Sequence, residues 1–235
     1  MALRRIAPGY LISIAVALAV GITLIVLALP RTAAGVSELH GTWAIAELRT
    51  GEPISNRDIE LAVNSLNAAN GWVDSAPRWA ALARLHYARA LLAGRDSEER
   101  RTEFGLSQNA SRKAVSLNPA LPEPWLRLAQ SEFALKKVTP QMIRALGMAY
   151  RTGRYNRFLV FAMSELAFIA WAKLDSDTRN TAIEQLDFAV WQRSNRLAAI
   201  SERLHASVIV RRALRHKPES LAKFERAVKR QQSKR

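Results

Sequence analysis

From Tyr10 to Leu29 the chain reads YLISIAVALAVGITLIVLAL, twenty residues without a charge, with Tyr10, Ser13 and Thr23 its only hydroxyl-bearing side chains. A helix rises about 1.5 Å per residue, so this run spans roughly 30 Å, the hydrocarbon thickness of a bilayer. A cleaved secretory signal has a shorter apolar core, about 7–15 residues, ahead of a small-x-small site. Here the candidate site near Ala33-Ala34 has Thr32 at its outer position. The expectation is an uncleaved, single-pass anchor. Arg4 and Arg5 precede the run, Pro30 and Arg31 close it, and no further Lys or Arg follows until Arg49. Basic residues are retained on the cytoplasmic side. Residues 1–9 are therefore expected to be a cytoplasmic tail and 10–29 the span. The C-terminal body is expected outside the cytoplasm, in the periplasm if the membrane is a bacterial inner membrane.

The roughly 200 residues beyond the anchor region suffice for one sizeable core or a small stack of repeated units. Cysteine is absent, which excludes disulfides, thiolate metal sites, a cysteine nucleophile and a lipidated cysteine. The chain carries 35 Lys and Arg against 20 Asp and Glu, a net charge of +15. Such an excess favours anionic partners. Ten of those net charges lie from Arg193 to Arg235, where thirteen basic residues face only Glu202, Glu219 and Glu225.

Glycine and proline are scarce, 10 and 9, and the periodic segments between them repeat at helical spacing. Residues 30–50 read as a linker becoming a first helix, with Leu39, Trp43, Ala46 and Leu48 on its apolar side. Ser55 and Asp58 have the spacing of a capping box, and Asn70-Gly71 is the expected stop. A helix from about Ser75 carries Pro77 in its first turn, and Ser97 caps the next, which Asn118-Pro119 stops. Pro122 and Thr139-Pro140 open two more. Tyr155 to Lys173 is apolar nearly all round and reads as a central buried helix, not a second span. Asp177 to Arg193, Asn195 to His216 with a break near Ala206, and Pro218 to Lys229 complete an all-α chain without strand alternation. Residues 51–230 form the expected domain and 231–235 a basic tail.

Two Trp-started blocks share a pattern. Trp79-x-x-Leu82-Ala83 and Trp125-x-x-Leu128-Ala129 both stand early in their helices, and Ala114, Leu117 and Pro119 precede the second by the spacing of a repeat junction. These residues resemble the tetratricopeptide repeat, whose helix-turn-helix units open on W-x-x-L-G/A and close on A-L-x-L-x-P. The resemblance implies a helical-hairpin solenoid with Trp79 and Trp125 between paired helices and Ala83 and Ala129 at the close crossings. His86 and Glu132 stand where the family has an aromatic. The period is 46 residues instead of about 34.

No phosphate-binding glycine loop, dinucleotide fingerprint, H-E-x-x-H or G-x-S-x-G is present. His40, His86, His205 and His216 form no pair at ligand spacing, and His86 reads as a packed, hydrogen-bonded core residue. No enzyme activity and no cofactor is expected. Candidate contacts for an anionic partner are Arg211, Arg212, Arg215, Lys223, Arg226, Lys229 and Arg230. The anchor and the resemblance together imply a membrane-tethered interaction scaffold of the bacterial cell envelope with protein partners there. By similarity to small anchored tetratricopeptide-like proteins, its role would be in assembling or exporting a surface polysaccharide such as exopolysaccharide. The alternative is direct binding of an acidic lipid or glycan along the basic helices. Nucleic acid would require a cytoplasmic body, and Phe224 is the only aromatic after Trp191, too few for base stacking.

Overall fold

The computed structural model describes residues 8–50 and 54–233, with the backbone alone for 8–12, 49 and 50. Arg4 and Arg5, most of the expected cytoplasmic tail and the end of the expected basic tail lie outside these residues. The described chain is helical, with no strand among its described residues, and it divides into two compact units, residues 1–78 and 79–235.

In the first unit, α1 runs from Pro8 to Ser37. Ser13–Ser37 is long and apolar enough to cross a membrane, and none of its most apolar stretch is buried. Its large apolar side chains from Ile14 to Leu29 are 44–62% exposed. Pro30 and Arg31 close the apolar run, but the helix continues past them. Proline removes one N–H from the ladder, and the neighbouring turn is supported from side chains. Arg31 Nη1 donates to the Leu27 carbonyl at 2.9 Å and Thr32 Oγ1 to that of Ala28 at 2.7 Å. Residues 30–37 are therefore helix, not linker.

Helix α2 (Leu39–Thr50) follows after a single turn residue, and α3 (Asn56–Trp72) packs on both α1 and α2. Most of the expected apolar side of α2 is not the buried one: Leu39 and Trp43 are 64% and 50% exposed, Ala46 is exposed and Leu48 is half-buried, while Gly41, Ala44 and Ile45, with Ala34 of α1, are buried. Ser55 caps α3, accepting from Asp58 N at 3.2 Å and donating to Asp58 Oδ2 at 2.5 Å. The helix ends at Trp72, one residue past the expected Asn70-Gly71 stop, and Asn70 Oδ1 receives Arg78 Nε at 3.2 Å.

Helix α4 (Ala76–Leu92) leads into the second unit, which continues with α5 (Glu98–Leu117), α6 (Pro122–Lys136), α7 (Pro140–Thr152) and α8 (Val160–Ala170). Ser97 and Thr139 accept from Arg100 N and Met142 N, both at 3.1 Å, so α5 and α7 start at the expected caps. α8 is shorter than expected: Tyr155 and Phe158 are 50% and 74% exposed in the turns before it, where Asn156 Oδ1 accepts from Phe158 N. A short 3-10 turn, Trp171–Lys173, follows α8.

Next come α9 (Ser176–Arg203), α10 (Ser207–Leu214) and α11 (Pro218–Gln232). α9 is interrupted at Arg193 (φ −156°, ψ 80°), and His205, at φ 52°, sits in the break before α10. The expected breaks at Arg193 and Ala206 are both present.

Two apolar clusters hold this unit. One joins Leu126 and Ala129 of α6, Met142, Leu146 and Tyr150 of α7, and Met163, Leu166 and Ala167 of α8. The other joins Val160, Phe161 and Phe168 of α8 to Leu186, Val190 and Leu197 of α9, Val210 and Leu214 of α10, and Phe224 and Val228 of α11. α8 is apolar all round because it supplies both clusters from opposite sides. Burying each such side chain contributes about 1.5–3 kcal/mol.

Candidate functional site

Helix α5 is polar by composition yet buries Glu103, Ser107, Gln108 and Ser111. Buried polar groups must be paired, and here the partners stand on the helices either side. Ser107 Oγ donates to the Ala83 carbonyl of α4 at 2.8 Å, and Ser131 Oγ of α6 donates to Ser107 Oγ at 3.0 Å. Ala83 and Ala129 are fully buried, as is Ala114. Small residues thus let three backbones approach closely enough for one hydroxyl chain to link them.

His86 and Glu132, where the resemblance has aromatics, enter the same seam. His86 Nδ1 lies 2.7 Å from Glu103 Oε2, with Arg89 Nε 3.4 Å from the other oxygen of that carboxylate. Glu132 accepts from Gln108 Nε2 and, at 3.1 Å, from Thr139 Oγ1. The departures from the repeat pattern are matched polar pairs on α5. No cluster of three or more potential metal ligands exists among the described residues.

The remaining repeat positions divide. Leu82 is 1% exposed; Trp79, Trp125 and Leu128 are half-buried. The Trp125 indole donates to the Pro119 carbonyl at 2.8 Å. Leu117 is 42% exposed and Pro119 is exposed, so neither side chain packs as the repeat junction implies. Leu117 is the last residue of α5, past the buried face that ends at Ala114. On α4 and α6, Arg84 forms a two-pronged pair with Glu123, and the Arg127 guanidinium stacks 4.2 Å from the Tyr87 ring. Burial pushes the Tyr87 hydroxyl up from its usual range, against the pull of Arg127.

The second candidate surface lies where α11 crosses the end of the first half of α9. Phe224, Ala227 and Val228 turn inward, so Lys223, Arg226 and Arg230 turn out along one side of α11. They meet Trp191, Ser194, Glu219 and Ala222 around a recess of about 570 Å³. The Trp191 indole is 53% exposed, and its Nε1 donates to Ser220 Oγ at 2.9 Å. Ser220 in turn donates to Asp187 Oδ1 at 2.5 Å, and Lys217 Nζ donates to Asp187 Oδ2 at 2.7 Å. Burial pushes the Asp187 carboxyl up, but these two donors outweigh it and hold the group below the usual carboxylate range. An ionised Asp187 thus fixes Ser220, which fixes an exposed indole. Lys223 Nζ sits 4.2 Å over that ring. The indole is preorganised, one face is covered by the Lys223 ammonium, and Arg226 and Arg230 stand in the same recess.

The other expected contacts do not join this recess. Arg211 is paired with Glu225 at 2.7 Å and 3.3 Å, an ion pair that raises its pKa. Arg212 and Arg215 line a separate recess of about 470 Å³ with Trp171, Arg179, Val208 and His216. Arg215 Nε donates to His216 Nε2 at 2.7 Å. Lys229 is exposed about a quarter-turn round α11 from Arg226 and Arg230. Trp191 was missing from the expected set, because it lies 32 residues before Lys223 and only the fold unites them.

No protein-family model, curated protein or solved structure matches the chain.

Proposed function

We propose that this chain is a membrane-anchored, non-enzymatic interaction scaffold of the bacterial cell envelope. Its body, a divergent tetratricopeptide-like array of helical hairpins outside the cytoplasm, holds an acidic partner at the Trp191 recess. The observation that carries this reading is the Trp191 indole, held exposed by Ser220 beside Lys223, Arg226 and Arg230. An indole face stacks on the apolar face of a sugar ring, while arginine forks suit carboxylates and Glu219 can accept from hydroxyls. A surface polysaccharide bearing acidic sugars fits that set, and assembly or export of such a polymer is the proposed setting.

The test is binding of the full-length protein, in neutral-lipid nanodiscs, to an acidic polysaccharide such as alginate and to neutral dextran. Alginate should bind, weaken steeply with salt, and lose at least tenfold in affinity on Arg226→Gln with Arg230→Gln. Equal binding of dextran, or indifference to salt and to both substitutions, would contradict the reading.

A second reading, contact with acidic lipid, rests on α10, where Val208 is 71% exposed one and two turns from Arg212 and Arg215. An apolar side chain flanked by cations is the pattern of a membrane-surface helix. Vesicles of phosphatidylglycerol binding an Arg212→Gln, Arg215→Gln variant as well as the unaltered chain would dismiss it.

A further inference from the structure

Tyr155, Phe158 and Trp191 are the exposed aromatic side chains among the described residues of the second unit. Each carries a cation over its ring. The Arg154 guanidinium lies 5.5 Å from the Tyr155 centroid, that of Arg157 4.6 Å from Phe158, and Lys223 Nζ 4.2 Å from Trp191. Trp191 and Tyr155 are also joined through a fourth ring. The half-buried Phe188 stands three residues before Trp191 on α9, about 4.5 Å back along the axis. Its ring meets that of Tyr155 edge to face, at 5.6 Å and 73°. Glu184, Phe188 and Trp191, spaced four and three, share one stripe of α9. The Trp191 recess is thereby continued along the helix to the turn between α7 and α8, residues 153–159.

That turn holds Tyr155 out. Its backbone is left-handed, φ 59°, a conformation that glycine or asparagine adopts at lower cost than tyrosine. Asn156 ties the turn: its N–H donates to the Gly153 carbonyl at 3.1 Å, and its Oδ1 accepts from Phe158 N at 2.9 Å. A side chain kept exposed on an unfavourable backbone points to a use for that side chain. The acids beside the row are occupied. Glu184 pairs with Arg154, and Asp187 accepts from Lys217 and Ser220. Arg157, Lys223, Arg226 and Arg230 are left as a cationic surplus against Glu219.

A ring beside a cation suits one acidic sugar, whose apolar face meets the aromatic and whose carboxylate meets the charge. The same pairing repeated along a row suits a chain of such sugars. An acidic peptide offers the charge without the ring faces. We propose that the binding site is a row and not a single recess: the two ring–cation pairs of the 153–159 turn hold further sugar units of the acidic polysaccharide whose first contact is at Trp191. The inference rests on the acidic-polymer reading of the Trp191 recess and extends it.

The test titrates the full-length protein, in neutral-lipid nanodiscs, with the disaccharide and the octasaccharide of alginate and with the octapeptide of glutamate. The octasaccharide should bind at least fiftyfold more tightly than the disaccharide, beyond the gain from its several registers, because linked units engage both ends of the row. It should also bind at least fivefold more tightly than the peptide. Tyr155→Asn puts a residue at ease with the left-handed backbone, so the variant should unfold at the same denaturant midpoint. Its affinity for the octasaccharide should fall at least fivefold while its affinity for the disaccharide is unchanged. Equal affinity for the two lengths once registers are counted, a Tyr155→Asn variant that binds the octasaccharide as well as the unaltered chain does, or equal binding of the peptide would each overturn the row. Should the disaccharide still bind in those cases and be lost on Arg226→Gln with Arg230→Gln, the recess stands and only the row falls. Should alginate of neither length bind, the recess reading falls and the row with it.

Discussion

The hydroxyl of Ser65 stands in the helical ladder of Gly41. An uninterrupted helix would send the Gly41 N–H to the Ser37 carbonyl; here that N–H donates to Ser65 Oγ at 3.3 Å, and Ser65 Oγ donates to the Ser37 carbonyl. The bonds on either side, Glu38 N to Ala34 O and Thr42 N to Glu38 O, remain. An inserted side chain is an identifiable cause of a kink, and this one marks the junction of α1 and α2. The closeness of α3 depends on Gly41 as well, because a Cβ there would lie 2.4 Å from Leu66 Cγ.

Gly41→Ala should therefore destabilise the protein by about 1–3 kcal/mol, since Leu66 is buried and has little room to yield. Ser65→Ala should cost less, about 1 kcal/mol, because Gly41 and Ser37 can then close their own bond. Denaturant unfolding of the full chain in detergent, followed by circular dichroism, measures both. Equal costs would contradict the account of the junction.

Glu132 and Gln108 form a buried pair. Glu132→Leu alone should cost about 1–3 kcal/mol by stranding Gln108. Adding Gln108→Met should recover part of that loss, so the double variant is more stable than the sum of the singles implies. Simple additivity in the same unfolding measurement would show that the two side chains do not act as a pair.

Asp175 caps α9, accepting from Thr178 N at 2.8 Å and Thr178 Oγ1 at 2.9 Å, and the backbone bond is the main cause holding its carboxyl below the usual range. A lowered folded-state pKa gives stability that is present above the unfolded value and is lost as pH falls through the folded one. Asp175→Asn should cost at most about 1 kcal/mol at pH 7, because asparagine still caps. The gap to the unaltered chain should close as pH falls below about 4. A gap that stays constant to pH 2 would assign the difference to something other than charge.

Much of this fold was legible in the residues. Ser55, Ser97 and Thr139 mark helix starts because a short hydroxyl side chain satisfies a backbone N–H that the helix leaves open. The breaks at Arg193 and near Ala206 were also expected from the sequence, and the structure has both. Residues 30–48 misread for a physical reason: both faces of that rod are apolar, so hydropathy alone could not say that Ala34, Gly41, Ala44 and Ile45 turn to α3. α8 misread because apolar residues run past its true start into exposed turns, where Asn156 sets the backbone. The Trp191 recess joins residues from two helices far apart in the chain, and Arg211 is neutralised by Glu225 from the next helix. Neither pairing has a local signature.

The anchor reading fixes a topology. An alkaline phosphatase fused after Arg235 should be active in intact cells, and a green fluorescent protein at the same place dark. The reverse pattern would put the body in the cytoplasm and remove the envelope setting.

The most direct measurement places a photoreactive residue at Ala222, on the rim of the Trp191 recess, in the full chain in living cells. Illumination should yield an adduct with an acidic envelope component that fades when Arg226→Gln and Arg230→Gln are added. The absence of any adduct beyond that formed from a site outside the recess, such as Asn64, or an adduct indifferent to those two charges, would contradict the account.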